Sequence, residues 1–179
     1  HREFTQRLDL WRKKYQEEGG KTIAQAGDRE HSIDDERVAA LLMDRFNAEI
    51  ALVDSGTINR TSLRGDITEY HLDNISNDEY PVFVFRMQGE DVIRLPSVKR
   101  GLLTAGLREG SVQGYPVDPA RSYRIAATQS VFEMVSDALG VRPSFDNRWK
   151  SIPEVFMEDL KAEKIVLRDD HSYLERRFR

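Results

Sequence analysis

Asp54, Ser55 and Gly56 follow directly on the apolar run Ile50-Ala51-Leu52-Val53. A carboxylate and a small turn-forming pair at the carboxyl end of a covered strand stand where α/β folds present their ligand-binding loops. The same three residues also suit a plain tight turn. Asn59, Arg60 and Arg64 come next. The planar fork of an arginine matches phosphate in a bidentate way, although an arginine on a loop is equally at home in solvent. Tyr80 precedes the aromatic and β-branched run Val82-Phe83-Val84-Phe85. Its ring could stack on a base, or it could anchor the start of a strand.

Other chemistries find little support. The chain has no cysteine, which excludes disulfides, zinc–thiolate sites and thiol nucleophiles. Its histidines, His1, His31, His71 and His171, are far apart and show no ligand-like spacing. Asp73, Asn77, Asp78 and Glu79 gather acids and an amide. Ile75 occupies an early ligand place of a calcium loop, so this cluster reads as a solvated turn. Asn59-Arg60-Thr61 and Asn74-Ile75-Ser76 have the form of glycosylation triplets, a form that chance produces often. With a formal net charge of −4, no global basic field draws the molecule to nucleic acid or to an acidic membrane. No apolar run is long enough to span a bilayer. Arg168, Arg176, Arg177 and Arg179 crowd the end of the chain, but Asp169, Asp170 and Glu175 are interleaved with them.

The elements that position these residues can be placed from periodicity. Phe4, Leu8, Trp11 and Tyr15 share one face of an amphipathic helix over 4–18, stopped by Gly19-Gly20. A short strand is expected over 21–26. A buried helix is expected over 32–47, with Val38, Leu42 and Phe46 on one face. Residues 50–53, 82–87 and 123–128 read as strands, and 54–66 as a loop. Residues 67–72 read as a strand end or one helical turn. The stretch 90–105 suggests a helix broken at Pro96, and 108–115 a loop or tight hairpin. Residues 130–139 read as a helix ended by Gly140, and 142–150 as irregular. Ser151-Ile152-Pro153-Glu154 has capping-box spacing at the start of a helix. A last extended stretch covers 165–167. This alternation predicts a mixed α/β fold with layered helices and mixed sheets.

The order of several segments resembles the C-terminal, substrate-recognising domain of the 5′-nucleotidase family. Residues 50–58 look like the family's apolar strand followed by Asn-Ser-Gly-Gly-Ile-Arg. Gly65-Asp66-Ile67-Thr68 resembles its Gly-Asp-Ile-Thr, and 82–89 the strand that ends in Leu-Thr-Gly. Tyr115-Pro116-Val117-Asp118-Pro119 and Tyr123-Arg124-Ile125-Ala126-Ala127-Thr128 resemble its Pro-Val-Asp-Pro and Tyr-Arg-Val-Ala-Thr segments. Residues 20–24 and 41–45 fit its opening strand and first buried helix. The resemblance covers most of residues 20–165.

The resemblance implies a division of labour. An N-terminal metallophosphoesterase domain of the same protein would carry two divalent metals and hydrolyse a nucleotide-like, phosphorylated small molecule. This chain would supply the substrate pocket, with no cofactor of its own and no catalysis alone. Residues 1–19 would then be a linking helix and 20–179 the domain, in a periplasmic or extracellular protein. His1 in the first place, with no export segment after it, reads as a fragment or processed chain. The implied substrate-binding residues are Asp54, Gly56, Asn59, Arg60 and Tyr80.

The pocket departs from the pattern more than the frame does. Asn59 stands in the family's arginine place, with Arg60 one step later. Asn77-Asp78-Glu79-Tyr80 replaces a Pro-Phe-Gly-Asn loop that carries a stacking ring. Gln129-Ser130-Val131-Phe132 replaces a Gly-Gly-Asp-Gly-aromatic loop and reads as helix, with Phe132 packed in the core. Each lost stacking ring costs on the order of 1–3 kcal/mol of base affinity. The alternative expectation is therefore a domain that keeps its fold, lacks a pocket and serves as a structural or protein-interaction module.

Overall fold

The computed structural model describes residues 20–28, 30–76, 80–148 and 150–162. The helix expected over 4–18, the extended stretch at 165–167, the arginine-rich end and Asn77-Asp78-Glu79 lie outside the described residues. In chain order the elements are β1 (Thr22–Gln25), β2 (His31–Ile33), α1 (Asp35–Phe46), β3 (Ile50–Asp54), β4 (Thr61–Leu63), β5 (Asp66–Thr68), α2 (Glu69–Asp73) and β6 (Val82–Gln88). They continue with α3 (Gly89–Val92), β7 (Leu102–Ala105), β8 (Leu107–Arg108), β9 (Ser111–Val112), β10 (Tyr115–Pro116), β11 (Ser122–Thr128), α4 (Gln129–Leu139), β12 (Phe145–Asn147) and α5 (Ile152–Lys161).

A five-stranded sheet in the order β12-β6-β11-β3-β7 forms the centre. Only β11 and β3 run parallel within it, in the register Ile125↔Ile50 to Ala127↔Leu52. The period-two alternation of strand side chains sorts its residues into two cores. Ala51, Val53, Val82, Val84 and Ala126 face α1 and α5. Ile50, Leu52, Phe83, Phe85, Met87, Ile125 and Ala127 face α4. Covered on both sides, β3 and β6 show near-continuous apolar runs rather than a polar face. The mixed α/β layering expected from the sequence is therefore present.

Local chemistry explains where the helices begin. The Asp34 side chain accepts a hydrogen bond from the Arg37 amide at 3.0 Å and caps α1. Ser32, expected inside this helix, instead lies in β2, paired with Ser62 of β4. At α5 the expected capping box is formed, with the Ser151 amide donating to Glu154 Oε2 at 2.7 Å. The helix expected over 90–105 is reduced to α3 and a 3₁₀ turn over Leu95–Ser97, after which the chain extends into β7. Pro96 and the strand-forming Leu102-Leu103-Thr104 account for the change. The loop expected over 54–66 contains β4 and the start of β5. The irregular 142–150 contains β12. Residues 107–116 form a three-stranded meander rather than a single hairpin.

Two contacts fix the parallel pair that carries the site. At the far end of the sheet Glu49 N donates to Arg124 O at 2.8 Å, and Arg124 N donates to Glu49 Oε2 at 3.0 Å. Glu49 also pairs with Arg121. Gly106 has φ +86°, and a Cβ there would lie 2.3 Å from Glu49 O. Only glycine allows β7 to leave the sheet so close to the start of β3.

Candidate functional site

Parallel pairing of β3 and β11 brings their carboxyl ends to the same edge of the sheet. Because α1 returns to β3 through a short connection, its amino end reaches that edge as well. The amino end of β6 arrives there too, since Val82 is opposite Thr128 in the antiparallel register. In an α/β sheet this is the end at which ligands are held.

The Asp54-to-Arg60 loop is built tightly. The Asp54 backbone carbonyl accepts from Thr57 N at 2.9 Å and from Thr57 Oγ1 at 2.8 Å. Asp54 Oδ1 accepts from the Gly56 amide at 3.3 Å. Ile58 bridges to Ser76, and Asn59 N donates to Ile75 O at 2.8 Å. Asn59 thus pins the loop to the turn after α2. Its backbone carbonyl also accepts from Thr61 Oγ1 at 3.1 Å.

Asp54 is not an open carboxylate. Lys99 Nζ lies 2.6 Å from Asp54 Oδ2, and the Asp54 side chain is only 15% exposed. Lys99 precedes β7, which pairs antiparallel with β3 and places Leu102 opposite Asp54. Ser55 N donates to Gly101 O at 3.2 Å and holds the two segments together.

The first turn of α1 adds Asp34, Asp35 and Glu36 to this edge. Burial pushes the Asp35 carboxyl above its ordinary value. Nearby Arg60 opposes the rise, while Asp34, Asp54 and Glu36 reinforce it. Arg60 and Asp54 therefore act on the same carboxylate, and both belong to one electrostatic neighbourhood.

Asp54, Gly56, Asn59 and Arg60 share one loop, as the sequence order requires. Tyr80 is 56% exposed and sits on the same sheet edge. It is two strands away from Asp54, a span of roughly 10 Å at the usual strand spacing. Sequence reasoning missed two contributors, Lys99 and Asp35. Lys99 lay in a stretch expected to be helical, and Asp35 fell inside the helix expected over 32–47.

The segment after β11 is helical. Gln129 N donates to Pro81 O at 2.9 Å, and α4 begins at once. Phe132 is buried, edge-on to Phe83 and Phe85 at 5.4 and 4.9 Å between ring centroids. It is a core residue, as its helical spacing predicted.

Among the described residues no group of three or more His, Cys, Asp or Glu side chains could hold a metal ion. His71 is used structurally, its Nδ1 accepting the Thr68 amide at 3.1 Å at the start of α2. Among the described residues no helix is long and apolar enough to cross a membrane.

No protein-family model matches the chain, and no curated protein matches it in sequence. Solved structures do. The 5′-nucleotidase precursor from Thermus thermophilus superimposes with a TM-score of 0.66 at 17% identity, over 90% of this chain and 40% of that one. The NAD nucleotidase NadN of Haemophilus influenzae gives 0.64 at 10% identity, over 96% and 40%. The sulfate thiohydrolase SoxB of Thermus thermophilus gives 0.64 at 18% identity, over 90% and 36%. The chain thus spans about two fifths of the length of these proteins, in their C-terminal part. Its fold is that of the 5′-nucleotidase C-terminal domain.

Proposed function

We propose that this chain is the substrate-recognising module of a 5′-nucleotidase-like hydrolase, in which the β3 edge holds the non-reacting part of a nucleotide-like substrate. Hydrolysis of the phosphate ester would fall to metal-activated water in a metallophosphoesterase domain of the same protein, in a periplasmic or extracellular setting. One observation carries this reading. The loop from Asp54 to Arg60 stands at the carboxyl end of the parallel strand pair, in a fold shared with the C-terminal part of a 5′-nucleotidase precursor. Its backbone is held by the bridge of Ile58 to Ser76, and the Asp54 side chain by Lys99, so the course of the loop is set before a ligand arrives.

A second reading has its own support. Lys99 is already neutralised by Asp54, and α4 occupies the place of a glycine-rich loop. A domain in that state could serve as a structural or protein-interaction module instead. Isothermal titration of the chain with nucleosides, nucleotides and sugar phosphates separates the two. Recognition predicts saturable heat with at least one nucleoside-bearing ligand at concentrations up to about 1 mM, where binding still amounts to about 4 kcal/mol. Silence across the panel overturns recognition and leaves the interaction module.

A further inference from the structure

We draw no further inference here: the strongest candidate, the half-exposed ring of Phe145 on the edge strand β12, stacked on the buried Phe83 of β6, carries nothing because nothing in the structure shows what covers it.

Discussion

Replacing Phe132 by alanine tests whether this ring belongs to the core or to a ligand site. Phe132 is 7% exposed and packs edge-on against Phe83 and Phe85, with Phe145 tilted against it at 5.1 Å. Truncating a buried phenylalanine costs about 3–5 kcal/mol, through lost transfer free energy and the cavity left behind. The lower end applies here, because Phe145 is 50% exposed and can settle into the space. Phe145 also keeps its stacking on Phe83, at 4.2 Å and 5° between planes. About 3 kcal/mol is then expected, which for a domain of this size lowers Tm by roughly 10 °C. Urea unfolding followed by circular dichroism should show a lower midpoint with an unchanged slope. Phe145→Ala, at a half-exposed ring, should cost no more than about half as much. A loss below about 1 kcal/mol at Phe132 refutes the packing argument. If that small loss came with a collapse of nucleoside affinity, the ring would be a ligand contact and α4 would have to open to release it.

Two further perturbations probe the electrostatics. Hydrogen bonds from Lys150 at 2.6 and 2.7 Å, with help from Arg45, hold the Glu158 carboxyl below its ordinary value of 4.5. A depressed folded-state value stabilises fully above the ordinary value and is lost as pH falls through it, so Glu158→Gln should lower stability at neutral pH and flatten the acid limb below pH 4.5. The Glu158 side chain is 44% exposed, so screening keeps the effect under about 1 kcal/mol, and a full-sized effect that ignores salt counts against the ion-pair explanation. At the candidate site, Arg60→Met should move the NMR titration midpoint of Asp35 further upward, since Arg60 is the cation that opposes its rise; an unmoved midpoint means that Arg60 does not share the edge with α1.

The frame of the fold was legible because its strands are covered on both faces. Ile50-Ala51-Leu52-Val53 and Val82-Phe83-Val84-Phe85 leave no polar face to confuse the period, and the ends of β3, β6 and β11 fall within a residue of expectation. The elements that were missed are short and supported by partners distant in sequence. Thr61–Leu63 is a strand because it pairs with His31–Ile33, and Phe145–Asn147 because it pairs with Phe83–Phe85. Three residues carry too little pattern to announce themselves, and tertiary pairing decides their state. Residues 90–105 failed for the opposite reason. Glu90, Asp91 and Val92 do begin a helix, but Pro96 and the glycine at 101 hand the chain to β7, whose place is set by β3.

The site was less legible than the frame, because its charge balance depends on contacts between segments. Taken singly, Asp54 is a carboxylate at a strand end and Lys99 is a solvated cation. Brought together by the antiparallel pairing of β3 with β7, each cancels the other, and neither residue type announces this in the sequence. Asp35 shows the same dependence. As part of the first turn of α1 it complements the helix dipole, yet burial raises the cost of its charge, with the nearby carboxylates of Asp34, Asp54 and Glu36 adding to it. An edge assembled this way can change its charge without changing the fold. Exchanging one acid at position 54 for an amide alters the net field at the edge while every strand pairing stays in place. The retained sheet and the altered edge are thus separable properties. The 0.66 superposition on a nucleotidase therefore speaks to the sheet and not to the charges at Asp54, Lys99, Asp35 and Arg60.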